Sequence, residues 1–291
     1  MPQIEINIEI GRVIFVGYIK ELSIRENQMV ALAILDVISD ICEKQNFKYN
    51  LMYGTLIGAV RHKGLIPWDD DIDIMMPQED YDKLLDYLSQ NGAKFPHLKV
   101  FNPDTVSDYP YMITRISDIR YVIDVENEED YGLGAFIDIY PFYGLGDTEH
   151  EAMALGLKGD RLSSACYQAT RLTYKVENTK QWYRKILKYP AFLITKVIGK
   201  EYFQKRLAQL ATKKKYEDSK YVGCVVWLSG GRKDIFLREW FDELITITME
   251  GREYKIPAKY DEVLRHTYGD YMELPAEQDR IAHHRYKIYK K

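Results

Sequence analysis

The stretch from Tyr53 to Met76, YGTLIGAVRHKGLIPWDDDIDIMM, sets the tightest limit on what this chain can fold into. It holds a small-residue turn (Gly54, Thr55), a basic trio (Arg61, His62, Lys63), a Pro67-Trp68 corner and the aspartates Asp69, Asp70, Asp71 and Asp73. Each charge left unpaired in a packed interior costs several kcal/mol, so this is too much polar chemistry for a packing device. Crowded aspartates also repel one another unless a cation sits among them.

The segments around it alternate between helix and strand patterns. Ser23-Ile24-Arg25-Glu26 has the form of a capping box, and apolar residues recurring through Val30, Ile34, Val37, Ile38 and Ile41 predict an amphipathic helix ending near Gln45-Asn46. A strand is expected over 47–53 and a short helix over 56–60, opened by the Gly54-Thr55 turn. Ile72–Met76 then reads as a strand that sets Asp71 and Asp73 on one face, because side chains two apart in a strand point the same way. Pro77 opens a helix that stops at Asn91-Gly92. Strands are expected at 98–101, 111–116, 121–125 and 135–140, with an acidic loop, Glu126 to Asp130, before the last. Asp138 lies inside the apolar run FIDIY, where its charge needs a partner, and a metal is one.

Residues 4–10 and 13–19 read as a structural hairpin. Residues 148–217 are helical and basic: Lys158–Lys215 carries fifteen Lys and Arg against three acids, in a chain whose net charge is −4. One face is thus expected to seek anions. Within it Trp182–Lys200 is acid-free and mixes aromatic, aliphatic and basic residues, which fits either a membrane interface or a packed helix with snorkelling lysines; Pro190 would kink it. After that, 221–228 reads as a strand, 244–249 as a hairpin with 253–256, and 260–268 as a helix ended by Gly269.

The three cysteines, Cys42, Cys166 and Cys224, are far apart without a CxxC pair, which predicts buried, reduced thiols in a cytosolic compartment. Glu5 and Glu9 stand where a signal peptide would be basic, and no run is long enough to span a bilayer, so neither export nor a membrane span is expected. The 24 tyrosines suit core filling, and equally sugar or quaternary-ammonium binding.

A strand, a small-residue turn opening a helix, an Asp-x-Asp on the next strand and a further Asp on a later strand assemble a two-metal site for phosphoryl or nucleotidyl transfer. Asp71, Asp73 and Asp138 fill the carboxylate roles, and hard cations such as Mg2+ take such oxygens. Gly54 and Thr55 offer backbone N–H groups and a hydroxyl to phosphate. Arg61, His62 and Lys63 either neutralise a diphosphate and leaving nucleotide or form a plain solvent-facing turn. Trp68 either stacks on a base or holds the Asp loop. His283, beside His284, reads as a phosphate ligand or general base against a purely structural role; an Asp near the metals is the other candidate base.

GTLIGAVRHKGLIPWDDDIDIMMPQEDY closely resembles the signature of the LicD family, bacterial phosphocholine transferases related to the fukutin-type enzymes. FIDIYPF is similar to the family's second acidic motif, and YGDYMELPAEQDRIAHH to its C-terminal signature. The resemblance implies an α/β nucleotidyltransferase-like core over 1–147, a helical basic segment over 148–217 contacting the acceptor or a membrane, and a segment over 218–291 that completes the site. It also implies transfer of phosphocholine from CDP-choline, with release of CMP, to a hydroxyl of a cell-surface glycan precursor of teichoic acid or lipopolysaccharide type. Asp71, Asp73 and Asp138 match the family's metal carboxylates, with Asp69 assisting, for Mg2+ or Mn2+. A cage of tyrosines and acids, using the Glu126–Tyr131 loop, is expected around choline. The expected location is cytoplasmic, peripheral at the inner face of the membrane where lipid-linked precursors lie, with no nucleic-acid partner. The rivals are a CDP-alditol donor, nucleotidyl transfer releasing pyrophosphate, and a non-catalytic glycan-binding protein; the intact aspartates argue against the last.

Overall fold

Ser23 opens the first long helix as the capping box requires: its hydroxyl accepts the Glu26 N–H at 3.2 Å while the Glu26 carboxylate accepts the Ser23 N–H at 2.9 Å. The computed structural model describes residues 9–10, 13–14, 20–107, 109–174, 182–227, 231–282 and 286–291; His283, Leu228 and most of the 4–19 hairpin fall outside them. Of that hairpin, β1 (Glu9–Ile10) and β2 (Val13–Ile14) pair antiparallel, with Glu9 opposite Ile14. After β3 (Lys20–Glu21), α1 (Ile24–Gln45) ends as expected at Asn46, whose left-handed φ of 58° stops the helix.

The expected 47–53 strand shrinks to β4 (Asn50–Leu51), because Tyr53 turns to φ 49° and starts α2 (Tyr53–Ile57). This helix starts earlier than expected and widens into a π-helical turn over Gly58–His62. Next come β5 (Asp73–Pro77) and α3 (Gln78–Asn91), then β6 (Leu98–Phe101), β7 (Thr114–Asp118) and β8 (Tyr121–Val125). β9 (Ala135–Gly146) runs on well past Tyr140, with Pro141 inside it.

The basic stretch forms α4 (Glu149–Thr170), α5 (Trp182–Ile198, with Pro190 inside) and α6 (Lys200–Ala211). β10 (Tyr221–Gly223) is shorter than expected and is followed by β11 (Phe236–Leu237). The β12 (Leu244–Met249) and β13 (Arg252–Pro257) hairpin, α7 (Tyr260–Tyr268) and β14 (Tyr286–Lys290) complete the order.

β9 is the spine of a seven-stranded mixed sheet: it pairs parallel with β5 and antiparallel with β7 and β10, while β4, β6 and β11 extend the sheet. Helices α1 and α3 pack on β9, as does α4. With helices covering it, the central pair reads as continuous apolar sequence, and Ile74, Met75, Met76, Ile137, Ile139 and Phe142 are buried. This is the α/β fold with a mixed sheet and flanking helices that the sequence predicts. β10 and β11 join the same sheet and β14 pairs with β8, so residues 218–291 build directly onto 1–147.

Candidate active site

Parallel pairing of β5 and β9 sets Asp73 directly beside Asp138, and the Asp138 N–H donates to the Ile72 carbonyl at 2.9 Å. Laterally paired residues share a face, so both carboxylates leave the sheet on the same side. Asp71, just before β5, joins them: one oxygen from each of Asp71, Asp73 and Asp138 lies within 4.8 Å of the others. Asp69, Asp70 and Asp71 form a second group of the same kind. Asp73 and Asp138 are buried and Asp71 is partly exposed.

These residues fit a hard divalent cation. Asp73 Oδ1 is buried with no hydrogen-bond partner among the described residues. Burial, then the charges of Asp71, Asp138 and Asp69, hold the Asp73 carboxyl well above the usual carboxylate range. An all-oxygen donor set with that much mutual repulsion suits Mg2+ or Mn2+.

Asp138 has a second partner that the sequence reading missed. Arg115, opposite it in the β7–β9 register, donates from Nε to Asp138 Oδ1 at 2.8 Å. Both side chains are nearly buried, and the guanidinium also lies 4.5 Å from the Tyr111 ring centroid and 4.2 Å from that of Phe136. A lone Arg in the apolar stretch YMITRI was the available signal.

The acidic loop is held from three directions. Asn27 Nδ2 donates to the Asp70 carbonyl at 2.7 Å, and Gln28 Nε2 donates to the carbonyls of Ile66 and Asp69 at 2.9 and 2.8 Å. From β14, the Tyr286 hydroxyl donates to the Asp70 carbonyl at 2.9 Å. Two amide residues on the buried face of an otherwise amphipathic α1 were the legible hint. Thr55 and Gly54 serve the same loop: Thr55 Oγ1 accepts the Asp73 N–H at 2.8 Å, and a Cβ at Gly54 would come 2.4 Å from Asp69 Oδ2. Both residues thus have a positioning duty towards the aspartates that the phosphate-binding expectation did not include.

The basic trio does not form one cationic patch. Arg61 donates to the carbonyls of Tyr271 and Glu273, tying the turn after α7 to the π-helical turn. Lys63 is exposed, at φ 55°, where it ends that turn. His62 meets Trp68 edge to face at 6.0 Å, and its pKa is lowered by burial and by Arg61. Arg280, from the C-terminal segment, lies 5.6 Å from the Trp68 ring, so Trp68 is flanked by His62 and Arg280.

In the Glu126–Tyr131 loop, Glu128 is already engaged. It pairs with Arg171 at 2.8 Å and accepts from the Tyr111 and Tyr131 hydroxyls, while the Arg171 guanidinium covers the Tyr167 ring at 3.9 Å. The protein's own arginine therefore already pairs with one of the acids of the loop in which a choline cage is expected. Aromatic residues beside the aspartates are Tyr53 and Tyr140, in edge-to-face contact at 5.1 Å, and Tyr268. Burial and then Asp73 and Asp234 raise the Tyr268 hydroxyl's pKa, and α7, which carries it, packs on α2 and on the turn bearing the buried Asp234.

The three cysteines are unpaired and buried, as the sequence predicts, with burial pushing the Cys42 and Cys166 thiols up to about 12. No helix among the described residues is long and apolar enough to cross a membrane.

Residues 46–167 match the family described as LicD/FKTN/FKRP, nucleotidyltransferase domain. The chain is 34% identical over 262 residues to the lipopolysaccharide cholinephosphotransferase LicD of Haemophilus influenzae, an alignment covering 88% of this chain and 94% of that protein. Shorter stretches resemble uncharacterized proteins of Rickettsia typhi, 39% identical over 26% of this chain, and Rickettsia prowazekii, 46% identical over 25% of it.

Proposed function

This chain belongs to the LicD family and is a phosphotransferase, and from that premise we propose that it moves phosphocholine from CDP-choline to a hydroxyl of a lipopolysaccharide- or teichoic-acid-type glycan precursor, releasing CMP. The observation that carries this reading is the register of Asp73 beside Asp138, with Asp71 adjoining.

Asp71, Asp73 and Asp138 would hold Mg2+ or Mn2+, with Asp69 in support. A divalent cation bound there would neutralise the diphosphate of the donor and the charge growing on CMP. Arg115 keeps the Asp138 carboxylate fixed, and the Asn27, Gln28 and Tyr286 contacts keep the Asp loop from collapsing onto it. The acceptor oxygen attacks the β-phosphorus in line, the bond to the bridging oxygen breaks, and CMP leaves. The hydroxyl proton passes to a carboxylate, for which Asp71 is suited as the most exposed of the three.

For the quaternary ammonium, Tyr53, Tyr140 and Tyr268 offer π faces and the buried Asp234 a counter-charge. In this division of labour 1–147 carries the metal carboxylates, 148–217 meets the acceptor or the membrane, and 218–291 supplies Tyr268 and Tyr286 to the site. The site of action is the cytoplasm, where both CDP-choline and lipid-linked precursors lie.

The test is CMP release by the purified protein across a donor panel of CDP-choline, CDP-ribitol and CTP, with lipid-linked glycan acceptors. CMP release from CDP-choline that stops with EDTA and returns with Mg2+ is expected. Preference for CDP-ribitol, or pyrophosphate release from CTP, would overturn the donor assignment.

A further inference from the structure

Helix α5 turns an apolar face outward. Tyr189, Leu193 and Val197 follow one another at four-residue intervals, and Ile194 and Ile198 form the adjacent ridge, so Leu193, Ile194, Val197 and Ile198 lie together on one side of the helix, with Tyr189 at its edge against the Tyr174 ring at 5.1 Å. Tyr189, Leu193, Val197, Ile194 and Ile198 are 46%, 45%, 87%, 58% and 45% exposed, respectively. The opposite side anchors the helix to the protein: Phe192 and Thr195 are buried, and the Phe192 ring packs against Tyr174 at 5.3 Å. Singly exposed apolar residues are ordinary on a protein surface, but a contiguous ridge of them beside a buried anchor marks an interaction face.

The charges around this face select its partner. Lys188 and Lys196 are exposed four residues before and after Phe192, at the margin of the anchored side, Lys205 and Arg206 are exposed on the next helix, α6, and no acid lies between Trp182 and Lys200. A second copy of the chain would bring the same cations against each other, which disfavours self-association through this face. An anionic bilayer surface satisfies both features, since the headgroups take the cations and the acyl boundary takes the ridge. The helix spans 17 residues and contains Pro190, so it suits lying in the interface rather than crossing it.

We infer that the outer face of α5, centred on Leu193, Ile194 and Val197, is a docking surface for anionic lipid, holding the enzyme at the bilayer where a lipid-linked acceptor is presented. The docking concerns a face separate from the aspartate site, and it stands or falls independently of the donor assignment.

The experiment is cosedimentation of the full chain with vesicles of phosphatidylcholine alone or with phosphatidylglycerol, at low and high salt, beside the double variant Ile194→Asp/Val197→Asp. Both positions are solvent-exposed, so the variant is expected to keep its circular dichroism and its CMP release with a soluble donor and acceptor. Binding to the anionic vesicles should exceed that to phosphatidylcholine alone by about tenfold or more, fall with salt, and drop by a similar factor in the variant. Absence of anionic-vesicle binding at low salt, equal binding by the variant, or a chain dimer that these substitutions dissolve would overturn the inference. Loss of CMP release in a variant still bound to vesicles would also overturn it.

Discussion

Arg115 Nε donates to Asp138 Oδ1 at 2.8 Å across the β7–β9 pairing, one strand away from the Asp73–Asp138 contact of β5 and β9. One carboxylate therefore faces a fixed guanidinium on one side and a second carboxylate on the other. That arrangement orients Asp138 and limits repulsion in the cluster before any cation arrives.

Replacing Arg115 with Met strands a buried carboxylate. Removing one member of a buried pair costs about 3 to 5 kcal/mol, so Arg115→Met should lower stability by that order in urea denaturation. The paired change Arg115→Met/Asp138→Asn should recover much of the loss. A single variant within about 1 kcal/mol of wild type would show that the pair is not structurally coupled.

Thr55 separates two duties of one hydroxyl. Its Oγ1 accepts the buried Asp73 N–H at 2.8 Å. Thr55→Val leaves that N–H unsatisfied and should cost about 1 to 3 kcal/mol, whereas Thr55→Ser keeps the acceptor and should cost less than Thr55→Val. Equal denaturation midpoints for the two variants would contradict the assignment.

Glu250 gives the stability a pH-dependent component. Its carboxylate takes a bidentate pair of hydrogen bonds from Arg25, at 3.0 and 2.7 Å, and the Leu65 N–H at 3.2 Å, bracing the β12–β13 turn against the loop that leads to the aspartates. The Arg25 hydrogen bonds, then that from Leu65, lower its pKa. A carboxyl depressed in the folded state stabilises fully above its unfolded pKa of about 4.3, and the contribution is lost as pH falls through the lower folded value. Arg25 is largely exposed, so Glu250→Gln should cost about 1 kcal/mol at pH 7. Urea midpoints of the two proteins should draw closer as the pH falls below about 4.3, and a gap that stays constant from pH 7 into the acid range down to loss of the fold would exclude this origin.

What could be read from the chain and what could not divide along physical lines. Local signals carried α1, whose capping box and Asn46 stop fall where expected, and the β6 and β8 strands, whose bounds match. Spacing within a strand also placed Asp71 with Asp73, and the isolated charge in FIDIY marked Asp138 as needing a partner. Arg115, Asn27 and Gln28 act through contacts between segments far apart in the chain, which periodicity does not encode. For the same reason the sequence left the role of the basic trio open and did not announce that Arg61 is directed to a turn more than two hundred residues on. The short β4 is another case: a Tyr at φ 49° is held by tertiary packing and nothing local announces it. The pairing of Glu128 with Arg171, which follows α4 more than forty residues on, is a further contact between distant segments that the local pattern does not announce.

The most direct test of the central claim is CMP release from CDP-choline by Asp73→Asn, measured with acceptor and Mg2+ beside wild type. Asparagine preserves shape and removes one of the clustered charges, so the variant should melt no lower than wild type in EDTA while its turnover falls on the order of a thousandfold or more. Full turnover by a folded Asp73→Asn protein would contradict the assignment of the Asp71, Asp73 and Asp138 cluster as the catalytic metal site.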